Sequence, residues 1–165
     1  MINNQIIFYP IGIIHSPFND ISNMPIQPLA AEKVMGWIEL FPEFIDGLID
    51  LEGFSHITLI YHLHKVDGHQ LKVKPFMDDE EHGIFATRSP KRPNAIGLST
   101  VKLITIEKNR LNIEMVDILN GTPLLDIKPF FSRFDNRFNT KSGWLKKLGD
   151  VSNDKLISDN RFRNK

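Results

Sequence analysis

The chain has 165 residues, with 20 basic side chains against 20 acidic ones and no cysteine. That length fits one ordinary domain, and the missing thiols exclude disulfides, iron–sulfur clusters and cysteine-ligated zinc. Balanced charge argues against a protein that coats nucleic acid through net charge, so such a partner needs local basic patches. Two exist, at residues 88–92 and in SRFDNRFNTKSGWLKK.

The opening MINNQIIFYPIGIIHSPF lacks the basic region and small-residue cleavage site of a secretory signal. No run approaches the roughly 18 apolar residues of a membrane span. A cytoplasmic protein with no membrane partner is expected. QIIFYPIGIIH reads as a buried strand ended by Ser16-Pro17. Residues 19–30 carry Pro25 and Pro28 and read as a loop long enough to bind something. GWIEL is a second strand, and PEFIDGLIDLEGF holds one or two helical turns opened by Pro42.

SHITLIYHLHK is the next strand, followed by a turn at Asp67-Gly68 and an acidic, solvated loop, MDDEEH. IGLSTVKLITIEKNRLNIEMVDIL is a β-hairpin turning at Lys108-Asn109, where asparagine can take the left-handed backbone. In its second arm Leu111, Ile113 and Met115 face inward. A turn at Asn120-Gly121 leads into an extended run to Pro129. SGWLKKLG is a short helix with Ser142 as cap and Gly149 as stop. Residues 1–150 form one domain, and the polar tail 151–165, ending in ISDNRFRNK, frays. Many short strands with proline and glycine turns point to a mainly β fold, a barrel or bent sheet with a few short helices.

No G-x-G-x-x-G, P-loop or G-x-S-x-G elbow occurs, so dinucleotide, P-loop and serine-elbow chemistry lack support. His62 and His64, two apart on a strand, share a face and could join His56, His69 or His82 in a metal site, but the spacing is loose and no metal is expected. Trp37, Trp144 and the phenylalanines at 41, 44, 130, 131, 134 and 138 could stack bases, although aromatics in a small domain mostly fill the core.

The informative stretch is GIFATRSPKRPNAIGLS. Pro90 and Pro93 push Ser89 and Arg92 to extended backbone and so limit the freedom lost on binding. Arg88, Lys91 and Arg92 stand on that stiffened support, and guanidinium groups recognise phosphate or carboxylate through paired hydrogen bonds. The chemistry is that of a preorganised anion-binding loop.

Together with NGTPLLDIKPF, GLIDLEGFSHI and PIGIIHSPF, this segment closely resembles the TsaA-like (TrmO) family of S-adenosylmethionine-dependent tRNA methyltransferases, from about Tyr9 to Trp144. The resemblance implies a single-sheeted β-barrel that dimerises, uses S-adenosyl-L-methionine and methylates N6 of threonylcarbamoyl-adenosine beside the anticodon (position 37) of tRNA. It implies cofactor contacts at Gln27, Pro28, Leu29, His64, Lys65, Arg88, Gly97 and Leu98, and along Ile113, Glu114, Met115 and Val116. Lys91, Arg92 and Asn94 are the implied RNA contacts and Asp126 and His64 the candidate proton acceptors, while Asp117, Thr122 and Asp126 of the second signature either shape the pocket or receive the target base. Ala95, Asn120, Lys65 and Phe130 stand where the family has proline, aspartate, glutamine and tyrosine. These departures keep a second reading in view, a non-catalytic S-adenosylmethionine and RNA-binding module of the same fold.

Overall fold

The computed structural model describes residues 5–22, 24–148 and 156–162. Six antiparallel strands close into one barrel: β1 (Gly12–His15), β2 (Met35–Leu40), β3 (His56–His62), β6 (Ile96–Glu107), β7 (Arg110–Glu114) and β8 (Thr122–Pro129). Their order around the barrel is β1-β2-β7-β6-β3-β8, and Gly12 opposite Leu124 closes β1 onto β8. Two short strands, β4 (Lys72–Val73) and β5 (His82–Gly83), pair outside it. The expected mainly β, single-sheeted barrel is therefore present, with one four-residue α-helix, Ser132–Asp135, and several 3-10 turns.

Period-two alternation builds the interior. Ile57, Leu59 and Tyr61 of β3 meet Ser99, Val101 and Leu103 of β6, with Ile14, Ile38, Leu111, Ile113 and Leu124 from the other strands. The hairpin turns where expected, but Lys108 takes the positive φ of 57°. Asn109 instead donates from its side chain to the Leu40 carbonyl and so ties the hairpin to β2. The inward pattern of β7 ends at Ile113; Met115 has φ 69° and Val116 takes the next buried place. A turn forms at Asn120-Gly121, where Gly121 has φ 76°.

Two expectations change. The predicted first strand is shorter, because Pro10 cannot donate to a ladder and residues 5–10 are exposed. The tail does not fray over 156–162: Pro25 bridges Ile157, Ile26 donates to the Leu156 carbonyl, and Phe162 packs with Val73, Ile84 and the edge of Phe76. One aromatic ring and a buried serine outweigh the polar composition around them. Gly143–Leu148 is a 3-10 turn, while the proposed stop at Gly149 and residues 151–155 and 163–165 lie outside the described residues. Phe162→Ala should lower stability by up to about 3 kcal/mol, read as a shifted denaturation midpoint, because it empties this small second core.

Candidate functional site

One end of the barrel collects the end of β3, the start of β6, the loop from β7 to β8, and the loop preceding Pro28–Ala31. Inside this end Tyr61, Ser99 and Asp117 form a hydrogen-bonded chain. Ser99 Oγ donates to Asp117 Oδ1 at 2.7 Å, which leaves Tyr61 Oη to donate to Ser99 Oγ at 3.0 Å. Tyr61 and Ser99 are 7% and 2% exposed, so both hydroxyls have exchanged water for each other. Burial pushes the Asp117 carboxyl up to about 6, against the lowering from the Ser99 bond and the nearby Arg88 charge. Burial likewise raises the Tyr61 phenol, with the Asp117 charge adding to it.

Gly97 makes this arrangement possible. It lies opposite Tyr61 in the β3–β6 ladder, and a Cβ there would sit 2.1 Å from the ring. Arg88 belongs to the same neighbourhood: its guanidinium acts on both Tyr61 and Asp117 and donates to Gln27 Oε1 at 3.0 Å. Pro28–Ala31 continues from Gln27 as a 3-10 turn packed on β6. Leu29 and Leu98, next along the chain from Pro28 and Gly97, are exposed. Ser89 Oγ is buried and makes no hydrogen bond among the described residues.

His64 closes the other side. Thr122 Oγ1 donates to the Leu119 carbonyl, so at 3.3 Å it accepts from His64 Nδ1. Burial, then the Lys65 charge, lowers the His64 pKa. Lys65 itself is exposed.

Several sequence-based assignments fall elsewhere. Asp126 pairs with Lys128 at 2.8 Å. It lines a cleft of about 520 Å³ with Glu43, Phe44, Asp50 and Pro129. Asp126 lies opposite Ile60 in the middle of β8, and among the described residues it makes no hydrogen bond or ion pair with Arg88, Asp117 or His64. Ile113 and Val116 are fully buried core residues, and Glu114 pairs with Lys102 at 3.0 Å, leaving backbone and the half-buried Met115 to face a ligand. Arg92 donates to the carbonyls of Thr87 at 2.9 Å and Ile84 at 3.3 Å, and Lys91 Nζ to that of Asp67. Both basic side chains therefore brace the loop. Asn94 remains exposed, and Ala95 accepts from the Leu63 N–H, extending the contact between β6 and β3.

The acidic loop is held rather than merely solvated. Asp78, Glu80 and His82 converge, and Lys147 Nζ stands 2.7 Å from Asp78 and 3.2 Å from Glu80. The hydrogen bonds from Lys147, then His82, keep the Asp78 carboxyl far below its usual range. Lys147 thus supplies the positive charge there. Trp144 stacks one face on His82, and Trp37 lies between His15 and Arg110, so the Trp37 indole is not free for a base.

Comparison with known sequences then gives a direct result. The profile of the tRNA-methyltransferase O N-terminal domain matches residues 13–136, most of the chain. The chain belongs to the tRNA-methyltransferase O N-terminal domain family. A probable S-adenosyl-L-methionine-binding protein of Pyrococcus abyssi is 55% identical over 143 residues, covering 87% of this chain and 78% of that protein. The human tRNA (adenine(37)-N6)-methyltransferase is 34% identical over 138 residues, 79% of this chain but 31% of its own length. The crystal structure of TrmO from Pseudomonas aeruginosa superposes with a TM-score of 0.73 at 36% identity, covering 86% of this chain and 62% of that one. Against that family background, Tyr61 and Ser99 are the residues that motif reading missed. The alternation of SHITLIYH opposite IGLST carried the signal, because it put both side chains on the inner face.

Proposed function

We propose that this family member is an S-adenosylmethionine-dependent methyltransferase that modifies N6 of threonylcarbamoyl-adenosine next to the anticodon of tRNA, acting in the cytoplasm as a homodimer. The observation that carries the reading is the Tyr61–Ser99–Asp117 chain within the field of Arg88. The residues present fit the cofactor: Arg88 for its carboxylate, Ser89 Oγ as a buried group still lacking a partner, and Leu29 and Leu98 as exposed apolar surface. The names of the archaeal and human relatives support the same cofactor and the same class of reaction.

Bound S-adenosylmethionine supplies a methyl carbon made electrophilic by its sulfonium. The chain's own task is to position the amine and remove a proton. Holding two reactants in line contributes on the order of 7–11 kcal/mol toward the barrier. The Gln27–Arg88 bond and the packing of Pro28–Ala31 on β6 provide that fixed frame. As N6 becomes substituted it loses a proton, and Asp117 Oδ2, the oxygen not engaged by Ser99, accepts it. With its pKa near 6, Asp117 is ionised at neutral pH yet basic enough to take that proton. Tyr61 and Ser99 hold the carboxylate in one orientation. His64, whose Nδ1 meets Thr122 Oγ1, is a second acceptor at the edge of the same loop.

Incubation with labelled S-adenosylmethionine and tRNA carrying or lacking threonylcarbamoyl-adenosine tests the assignment. Label is expected only in the modified tRNA. Cofactor binding without transfer to either tRNA would favour the non-catalytic module. Arg88→Ala should weaken cofactor binding about 10- to 100-fold by calorimetry, the range for a charge-assisted hydrogen bond.

A further inference from the structure

We propose that Phe85, braced by Arg92, is a stacking platform for a single unstacked RNA base beside the methylation site; the inference rests on the tRNA methyltransferase reading above. Phe85 is 77% exposed in the 3-10 turn Ile84–Ala86, three residues before Arg88. One exposed apolar side chain is ordinary. This one sits on a turn tied from several directions.

Ile84 is buried against Val73 and Phe162, and its N–H donates to the Leu71 carbonyl. Its carbonyl receives Thr87 Oγ1 at 3.0 Å, the Thr87 N–H at 3.1 Å and Arg92 at 3.3 Å. Trp144 Nε1 holds the Ala86 carbonyl at 2.8 Å. A turn pinned this thoroughly has little freedom to tuck its ring away, so the exposure is imposed by the structure. The Arg92 guanidinium carbon lies 6.0 Å from the ring centroid, giving the platform a positive charge.

Aromatic rings next to guanidinium groups bind single-stranded bases through stacking that does not depend on base identity. An adenosine taken out of an anticodon loop leaves neighbours unstacked, and a fixed ring close to Arg88 can receive one of them. Three other exposed phenylalanines are less suited. Phe131 and Phe134 pack edge to face on each other, and Phe138 lies in a wholly exposed segment, 131–143.

The test uses anticodon stem-loop RNAs with 2-aminopurine at each position flanking the target adenosine. Wild-type protein should quench the fluorophore at one flanking position. Phe85→Leu should abolish that quenching and weaken RNA binding about 5- to 100-fold. It should leave S-adenosylmethionine affinity and the melting temperature unchanged, and Phe85→Trp should restore both RNA readouts. If Phe85→Leu binds and quenches like wild type, or alters only the sedimentation behaviour, the platform is refuted while the methyltransferase reading stands. RNA binding absent from the wild-type protein itself would overturn both.

Discussion

Asp117→Asn should give a protein that is more stable at neutral pH and nearly inactive. Loss of a positioned proton acceptor costs typically 10²- to 10⁴-fold in rate, and that is the fall expected in single-turnover methyl transfer with cofactor binding retained. The stability effect follows from linkage. Asp117 has a folded-state pKa raised by burial from an ordinary 3.8 to about 6, so the folded chain holds that proton more tightly than the unfolded chain. Its favourable contribution is complete below about pH 4 and is lost as pH rises through about 6. Above that, keeping the buried carboxylate charged is a cost, and an uncharged amide that still accepts from Ser99 relieves it. Asp117→Asn should therefore add about 1–3 kcal/mol at pH 7–8 and nearly nothing at pH 4, measured by urea unfolding at the two pH values.

Gly97→Ala is the second large effect. The added methyl would lie 2.1–2.7 Å from three atoms of the Tyr61 ring, a rigid group with buried neighbours. Either the ring turns out of the barrel or the β3–β6 ladder opens at this end. A loss of about 2–4 kcal/mol in stability is expected, at the upper end of what overpacking costs. The Tyr61–Ser99–Asp117 chain should break with it. Pairing the change with Tyr61→Ala makes room again. The double variant should recover part of the stability but not the activity, which separates the steric cause from the catalytic one. A Gly97→Ala protein as stable and as active as wild type would refute this account of the glycine.

How much of this was legible in the sequence depends on which interaction fixes each element. The barrel was readable because its strands alternate: the inward residues of HITLIYH and of IGLSTVKL recur every second position. Turn residues marked Lys108-Asn109 and Asn120-Gly121 correctly, since short-range backbone preference decides them. The docking of 156–162 was not readable, because a polar segment is anchored there by Phe162 and by two backbone pairings to Met24 and Ile26, far away in the chain.

The site divides in the same way. Arg88, Gln27 and Gly97 lie in motifs, and the fold brings them to one end of the barrel. Asp126 was carried over from the resemblance, as a carboxylate in a family motif, and in the fold its ion pair is with Lys128. Lys91 and Arg92 have the charge for phosphate, yet their hydrogen bonds run to backbone carbonyls of their own neighbourhood. Tyr61 lies outside the motifs and Ser99 only closes one, with nothing in either to mark a site residue. Their importance comes from register, which only the closed sheet defines.

The most direct measurement of the central claim is the single-turnover methyl-transfer rate, with cofactor and tRNA bound, as a function of pH in wild type and Asp117→Asn. The wild-type rate should rise about tenfold per pH unit to a plateau near pH 6, and the variant should be slow without that rise. A variant that matches wild type in both rate and pH profile would contradict that claim.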